Sequence, residues 1–211
     1  MVKMYHSTQS RARLVYEGYK MKKYQIIYAD PPWSYQNGGV PQGGVDKQYG
    51  TMKDSDMCSL PIQEISDDVC LLFMWATFPK LKEGIAVMEA WGFEYKTCAF
   101  TWVKTNPKQP LKSFFGIGYY TKSNAEICLL GVKGKAHKLV KSNSVSQMIF
   151  SPRGKHSEKP QEARNKIVEM CGDIPRIELF ARQKTDGWDV FGNEVEGSIV
   201  FDSVHNPQPD P

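Results

Sequence analysis

Runs of apolar residues divide the chain into five predicted strands. Each run is rich in β-branched and aromatic residues and is bounded by polar or turn-forming residues. The runs lie at residues 24–29, 69–76, 93–103, 126–132 and 174–181. The first run ends abruptly at Asp30-Pro31-Pro32, where consecutive prolines stop both strand and helix.

Two other segments have the spacing of amphipathic helices. The first is residues 80–91, and the second begins at Pro160, which suits a first helical turn, and ends at Cys171 with Gly172 as its C-cap. The predicted core-facing residues are Leu81, Ile85, Met88 and Trp91 in the first helix, and Ala163, Ile167 and Met170 in the second. The segments 34–51, 108–122, 134–155 and 185–194 are predicted to be loops or irregular.

Strands that alternate with helices are typical of an open α/β sheet, mostly parallel, with helices on both faces. In such sheets ligands bind at the carboxyl ends of the strands, near the point where the strand order reverses. Asp30 follows the first predicted strand and Arg182 follows the last. Both residues are therefore expected at that end of the sheet.

The composition is that of an ordinary globular protein, with 41% hydrophobic and 24% charged residues. No apolar run reaches the roughly 20 residues that a membrane span needs. The five cysteines are scattered and form no C-x-x-C, so neither a disulfide framework nor a metal site is predicted and a cytoplasmic location is expected. One domain is expected at 24–197, between a basic N-terminal arm at 1–23 and a C-terminal tail at 198–211.

The charge is unevenly distributed, although the formal net charge is only +4. Between residues 95 and 157 the one acidic residue is Glu126. The basic residues of that stretch are Lys96, Lys104, Lys108, Lys112, Lys122, Lys133, Lys135, Lys138, Lys141, Arg153 and Lys155. A bias of one sign across several loops favours a surface that faces a polyanion such as nucleic acid.

The tetrad at 30–33, Asp30-Pro31-Pro32-Trp33, has the groups that methylation of an aromatic amine requires. Such a nitrogen is a poor nucleophile because its lone pair is delocalised into the ring. Acceptors that bond both N–H groups draw the nitrogen toward a tetrahedral, more basic state. Asp30 offers a carboxylate, the prolines fix neighbouring carbonyls, and Trp33 offers a flat face for a base. As four residues alone, the tetrad is also compatible with a simple turn after a strand.

Six further motifs follow the tetrad in one order. The set is Y-A-D-P-P-W at 28–33, Y-G-T-M at 49–52, L-F-M-W at 72–75, W-V-K-T-N at 102–106, S-E-K-P at 157–160, I-E-L-F-A-R at 177–182 and G-N-E at 192–194. Together they closely resemble the adenine-amino (m6A) methyltransferase family that carries Asp-Pro-Pro-Trp, the MT-A-seventy-like family. The resemblance covers about residues 24–196, and the compact size is similar to the bacterial and bacteriophage members.

The resemblance implies a Rossmann-like methyltransferase fold in permuted order, with the catalytic motif before the cofactor motif. It implies S-adenosyl-L-methionine as cofactor and the exocyclic N6 amine of adenine as target. Asp30, Pro31, Pro32 and Trp33 then form the catalytic cradle. The implied cofactor-binding residues are Asp30, Lys159, Phe180, Arg182, Asn193 and Glu194. Taken alone, Lys159 also suits a helix start, and Arg182 a surface ion pair with Glu178 or Asp186.

A target base inside a duplex must be flipped out of the stack or presented in a single strand. The predicted substrate-binding residues are Tyr35, Tyr49, Lys104, Phe114, Phe115, Lys135 and Lys138. Phe114 and Phe115 suit a wedge in the vacated stack, a packed loop, or an interface in a homodimer or a family-type heterodimer. DNA is favoured over RNA because no accessory RNA-binding module is recognisable. A catalytically inactive nucleic-acid-binding subunit is the third alternative, and the intact tetrad argues against it.

Overall fold

The computed structural model describes residues 22–35, 50–106, 108–114, 116, 118, 120–154 and 158–199. The strands are β1 Tyr24–Ala29, β2 Ser66–Ala76, β3 Glu94–Asn106, β4 Gln109–Ser113, β5 Ala125–Lys133, β6 Met148–Pro152, β7 Arg176–Leu179 and β8 Asp189–Phe191. The α-helices are α1 Asp54–Cys58, α2 Ile62–Ile65, α3 Leu81–Ala90 and α4 Gln161–Cys171, and short 3-10 helices lie at Phe78–Lys80 and Ala136–Leu139. The predicted arm and tail lie almost entirely outside these residues.

Within the described residues, all eight strands join one sheet in the order β4-β3-β5-β2-β1-β7-β8, with β6 paired to β3. Parallel pairing joins β1 to β2 and to β7, β7 to β8, and β3 to β6. Antiparallel pairing joins β5 to β2 and β3, and β4 to β3. The predicted α/β class and the mostly parallel sheet are confirmed, and β5 runs against the direction of its neighbours.

The sheet has a buried core on each face. One core contains Ile27 and Ala29 of β1 and is covered by α1, α2 and α3, while the other contains Ile26 and Tyr28 and is covered by α4. This alternation is what a central strand of a two-sided sheet shows, and it explains why β1 is an uninterrupted apolar run. Trp75 and Trp102, both in apolar runs, are fully buried as expected.

The strand order reverses at β1. The chain moves from β1 to β2 on one side and returns on the other side as β7, after α4 has crossed the opposite face. Ala29 pairs with Met74 of β2 and with Leu179 of β7. The residues that follow these three therefore meet at the switch point, where α/β sheets bind ligands.

Three strands formed where loops were expected. β4 lies in the predicted loop 108–122, β6 in the segment 134–155, and β8 in the loop 185–194. They are three to five residues long and pair with β3 or β7. Their extended conformation depends on those partners rather than on local sequence preference, which is why periodicity did not reveal them. Among the described residues no helix is both long and apolar enough to cross a membrane.

Candidate active site at the carboxyl end of the sheet

The tetrad at 30–33 forms a tight turn directly after β1. The Trp33 amide donates to the Pro31 carbonyl at 2.9 Å, and the Met52 amide donates to the Pro32 carbonyl at 2.9 Å. Pro31 is buried, whereas the side chain of Asp30 remains 24% exposed. The turn is therefore fixed from both sides while the carboxylate stays accessible.

Trp33 anchors this turn to the neighbouring strand. Its indole Nε1 donates to the Trp75 carbonyl at 3.0 Å, and the residue is only 8% exposed. The expectation of an open indole face for a stacked base is therefore wrong, because the ring packs into the core under α3. A buried indole N–H needs a hydrogen-bond acceptor, and the Trp75 carbonyl is that acceptor.

Asp30 belongs to a line of four charged side chains, the ion cluster Lys104–Glu126–Lys159–Asp30. Lys159 Nζ lies 2.8 Å from Asp30 Oδ1 and 3.3 Å from Glu126 Oε2. Lys104 Nζ lies 2.5 Å from the other Glu126 oxygen, Oε1. The charges alternate in sign along the line, and two cations balance two carboxylates.

Burial and neighbouring charges shift the pKa values in this cluster. Burial raises the pKa of Asp30 above that of an ordinary aspartate, and the Lys159 ammonium opposes that rise. Burial also raises the pKa of Glu126, but Lys159 and Lys104 outweigh it, so the value lies below the usual range. Burial lowers the pKa of Lys159, and the carboxylates of Asp30 and Glu126 more than reverse that effect. Lys159 is therefore charged at neutral pH.

The segment after β7 lies beside Asp30 across the switch point. Phe180, which follows Leu179, has φ 61° and is the one non-glycine residue with positive φ among the described residues. That conformation is uncommon for a bulky side chain and is found where the backbone is held for function. It turns the chain sharply after β7, so that Phe180 and Arg182 lie at the end of the sheet that carries Asp30.

The segment after β8 approaches this turn closely. The Ala181 amide donates to the Phe191 carbonyl at 2.9 Å. A Cβ added at Gly192 would lie 1.9 Å from the Ala181 carbonyl oxygen, so only glycine fits. Asn193 and Glu194 follow and are exposed. All of the predicted cofactor-binding residues therefore surround one end of the sheet.

The Arg182 guanidinium lies near Glu194, and Glu178, one of its two alternative partners, is bound elsewhere. The Arg182 Nε lies 3.9 Å from Glu194 Oε1. Glu178 instead forms a buried two-point pair with Arg164, at 2.8 Å from Nε and 2.6 Å from the second guanidinium nitrogen. Arg182 and Glu194, both predicted to bind the cofactor, are thus neighbours.

Two predicted substrate-binding aromatic residues also lie at this end. The Tyr35 hydroxyl is 2.8 Å from Thr77 Oγ1, just beyond β2. The Phe114 amide donates to the Lys104 carbonyl at 2.8 Å, and the Arg153 guanidinium lies 4.6 Å from the Phe114 ring centroid. Tyr49 and Phe115 lie outside the described residues.

Lys135 and Lys138, which are predicted to bind the nucleic acid, lie at the end of the sheet opposite Asp30, so they do not line the target site. β5 runs antiparallel to β2, so Lys133 at its end pairs with Cys70 near the start of β2. Cys70 and Ala76 of β2 are six residue steps apart, a distance of roughly 20 Å along the strand. The 3-10 helix with Lys138 follows directly after β5.

Lys104 also departs from its predicted role. Its side chain is 14% exposed, bound to Glu126, and 5.1 Å from the Trp102 ring centroid. A lysine that contacts phosphate is expected to present its ammonium to solvent, and this one presents it to a carboxylate inside the protein.

Glu126 and Arg153 also belong to the site, although the sequence did not predict them as site residues. Glu126 is the only acidic residue between 95 and 157, and it stands at the start of an apolar strand. That isolation is a usable signal, because a carboxylate in a basic region needs a cationic partner when it is buried. Arg153 lay in a stretch predicted to be irregular, so its placement depended on the unpredicted strand β6.

The sequence profile of the MT-A70 family matches residues 24–194. The chain belongs to the MT-A70 family. The match begins at the first residue of β1 and extends through Glu194, so it spans the whole described site. The MT-A70 family is a methyltransferase family. Membership of this family explains why the motifs occur in this order along the chain.

Three MT-A70 relatives show the range of similarity. The type II methyltransferase M.MunI of a Mycoplasma species is 37% identical over 198 residues, which cover 85% of this chain and 81% of that protein. The human N(6)-adenosine-methyltransferase catalytic subunit METTL3 is 29% identical over 182 residues, covering 85% of this chain and 30% of that protein. The human N(6)-adenine-specific methyltransferase METTL4 is 28% identical over 82% of this chain and 38% of its own length. The chain thus spans most of the bacterial relative and little over a third, at most, of these human proteins.

Proposed function

We propose that the protein transfers a methyl group from S-adenosyl-L-methionine to the exocyclic N6 amine of adenine in DNA. The observation that carries this proposal is the placement of the Asp30 carboxylate. It stands at the end of β1, at the switch point of the sheet, on a turn held by Trp33 and Met52. A partly exposed carboxylate on a rigid turn is suited to accept from an amine that enters the site.

Asp30 has the capacity for this role while bound to Lys159. A carboxylate offers about four lone-pair positions, and the Lys159 ammonium occupies only part of them. When the Asp30 oxygen accepts from an N–H of adenine, the nitrogen is drawn toward a more nucleophilic geometry. Burial raises the pKa of Asp30, which strengthens it as an acceptor. Positioning and preorganised charge then lower the barrier.

The residues around Asp30 fit the proposed cofactor. Lys159 presents a buried ammonium suited to a carboxylate, and Glu194 presents an exposed carboxylate suited to the hydroxyls of a ribose. Gly192 and Ala181 contact each other through main-chain atoms, with no room for a side chain at Gly192. When bound, S-adenosyl-L-methionine supplies an activated methyl group. The protein's own contribution is to orient the amine, hold charge and exclude water.

DNA is the preferred polymer because the chain spans most of the type II methyltransferase M.MunI. RNA is the second candidate, since METTL3 is named an N(6)-adenosine-methyltransferase catalytic subunit. A homodimer or a heterodimer with a related subunit is compatible with the family. Its relatives include the non-catalytic subunit MTB of Arabidopsis thaliana, 30% identical over 55% of this chain.

An inactive role for this chain is disfavoured by the intact tetrad and by Lys159. The five free cysteines suit a reducing compartment such as the cytoplasm.

The deciding experiment is transfer of labelled methyl from S-adenosyl-L-methionine to DNA and RNA oligonucleotides of matched sequence, followed by nucleoside analysis. The targets are offered single-stranded and as duplexes because the base must leave the stack. We expect N6-methyladenine in DNA. Methyl on cytosine, or on neither polymer, would overturn the proposal, and methyl on RNA adenine alone would replace DNA with RNA.

A further inference from the structure

Lys104 holds an unusual position for a lysine in a basic protein. It lies near the end of β3, at the same end of the sheet as Asp30, with its side chain 14% exposed. Its ammonium is bound to Glu126 and lies over the Trp102 ring. A lysine is rarely buried unless its charge is paired, so the contact with Glu126 is the reason that this charge is tolerated here.

Glu126 is divided between two lysines. Its Oε1 binds Lys104, and its Oε2 lies 3.3 Å from Lys159. Lys159 in turn lies 2.8 Å from Asp30. Because each carboxylate oxygen of Glu126 has its own cation, neither lysine is drawn entirely to it, and Lys159 keeps its contact with Asp30.

We propose that Lys104 is a positioning residue for methyl transfer, which acts through Glu126 to keep Lys159 seated on Asp30. Lys104 itself does not reach Asp30, since Glu126 and Lys159 stand between them. The inference rests on the proposed function, in which the Asp30 carboxylate receives the target amine. It replaces the expected role of Lys104 as a direct nucleic-acid contact.

The consequence of removing the Lys104 charge follows from the balance of the cluster. With Lys104 the four side chains sum to zero, and without it they carry one excess negative charge. Glu126 then has both oxygens available to Lys159 and draws it away from Asp30. An aspartate that loses part of its cation and gains a nearby uncompensated carboxylate holds its proton more tightly. Asp30 would therefore ionise at a higher pH.

Three charged side chains act electrostatically on the Asp30 carboxyl. They are Lys159, Glu126 and Arg182, with Tyr35 and Cys128 as neutral groups nearby. Burial raises the pKa of both Tyr35 and Cys128, so neither becomes charged in the acidic range. A change on the acidic side therefore reports on Asp30 and its three charged partners.

The test compares Lys104→Met with Lys104→Arg and with Lys96→Met. Lys96 lies near the other end of β3 and is exposed, so its variant removes the same charge from the same strand far from Asp30. Methyl transfer to a DNA oligonucleotide is measured from acidic to neutral pH at saturating S-adenosyl-L-methionine. We expect the acidic limb of the pH–rate profile to move toward higher pH in Lys104→Met, by about half a pH unit to one pH unit. Lys104→Arg restores the limb, and Lys96→Met leaves it in place.

A direct phosphate contact predicts a different result. In that case Lys104→Met would weaken DNA binding, reduce the salt dependence of affinity by about one unit, and leave the acidic limb unmoved. That outcome overturns the positioning role. An unmoved limb with unmoved affinity overturns it as well.

A second measurement needs no catalytic activity and so separates the two proposals. The titration of the Asp30 carboxyl carbon is followed by NMR in the protein with labelled aspartate, with Asp30→Asn used to assign the signal. We expect the midpoint in Lys104→Met to lie above that of the wild type. A shifted midpoint in a protein that transfers no methyl would refute the proposed function alone. Equal midpoints would refute the role of Lys104 alone.

Discussion

Trp33 is fixed to Trp75: its indole N–H donates to the main-chain carbonyl of the adjacent strand at 3.0 Å. The turn that follows β1 is thereby bound to β2, and Asp30 is held at its start. The indole is used for structure, and the accessible group of the tetrad is the carboxylate of Asp30.

Trp33→Phe should lower the kcat of methyl transfer more than Trp91→Phe does, although each variant loses one indole hydrogen bond. The substitution keeps an aromatic ring but leaves the Trp75 carbonyl without this donor, at a cost of about 1–3 kcal/mol. Trp91→Phe is the matched control, because the Trp91 indole also donates to a main-chain carbonyl, that of Met57 at 2.7 Å. Urea denaturation and kcat are measured for both. Equal losses of kcat would contradict a specific role of Trp33 in holding the turn.

Asp30→Ala should reduce methyl transfer by at least about 100-fold, the usual effect of removing one preorganised electrostatic group. Binding to DNA should persist, because the remaining cluster carries one extra positive charge. Asp30→Asn, which keeps the shape and loses the charge, should also be strongly impaired. Fluorescence anisotropy and labelled methyl transfer provide the two measurements. Loss of all binding in a folded Asp30→Ala protein would refute the assigned role.

Gly192→Ala should weaken binding of S-adenosyl-L-methionine by about tenfold or more, equivalent to about 1.4 kcal/mol. The added methyl meets the Ala181 carbonyl at 1.9 Å and must push the segment after β8 away from Phe180. Gly50→Ala is the control, since an added Cβ there has nothing within 4 Å. Isothermal titration calorimetry measures the affinity. Equal affinities for the two variants would show that the cofactor does not depend on this contact.

Arg153→Gln should lower DNA affinity and reduce its salt dependence by about one unit. Arg153 lies with Phe114 at the Asp30 end of the sheet. The double variant Lys135→Gln/Lys138→Gln removes more charge from the opposite end and should change affinity less. Binding is measured with a short duplex at several salt concentrations. The reverse ranking would move the DNA surface to the other end of the sheet.

Glu126→Gln should destabilise the protein in a manner that depends on pH. Burial raises the pKa of Glu126, but the charges of Lys159 and Lys104 lower it by more than burial raises it. The pKa in the folded protein therefore lies below the ordinary 4.5. The unfolded chain therefore binds more protons in this range, and the stabilisation is fully present above about pH 4.5 and lost as the pH falls through the folded pKa. Breaking this partly buried contact should cost on the order of 3 kcal/mol near neutral pH. Denaturation curves of both proteins should converge toward acid, and a constant difference would contradict this account.

The elements predicted well are those whose information is local. β1 is a run of buried residues that two prolines end, and α4 has a helical stripe with Gly172 at its end, where φ is 79°. The residues after β1 and β7 also met as expected, because parallel neighbours place their carboxyl ends together. The family resemblance added residues that periodicity alone does not reveal, such as Lys159 and Glu194.

The placement of Lys135 and Lys138 away from Asp30 has its cause in strand direction. Lys135 lies two residues after the end of β5, and a parallel β5 would have delivered it to the Asp30 end of the sheet. β5 is antiparallel, so Lys135 emerges at the opposite end and Glu126, at the start of the strand, takes the place beside Lys159. Strand direction depends on how the chain crosses the sheet, which the apolar pattern of one strand does not encode.

The position of β1 between β2 and β7 has a consequence for synthesis of the protein. A nascent chain that has emerged from the ribosome only as far as residue 158 contains Asp30 and Glu126 but neither Lys159 nor β7. Its central strand then has one free edge, which is prone to wrong pairing. The site can assemble only after β7 has docked beside β1. Prematurely terminated products are therefore expected to be inactive and prone to aggregation, whatever their nucleic-acid affinity.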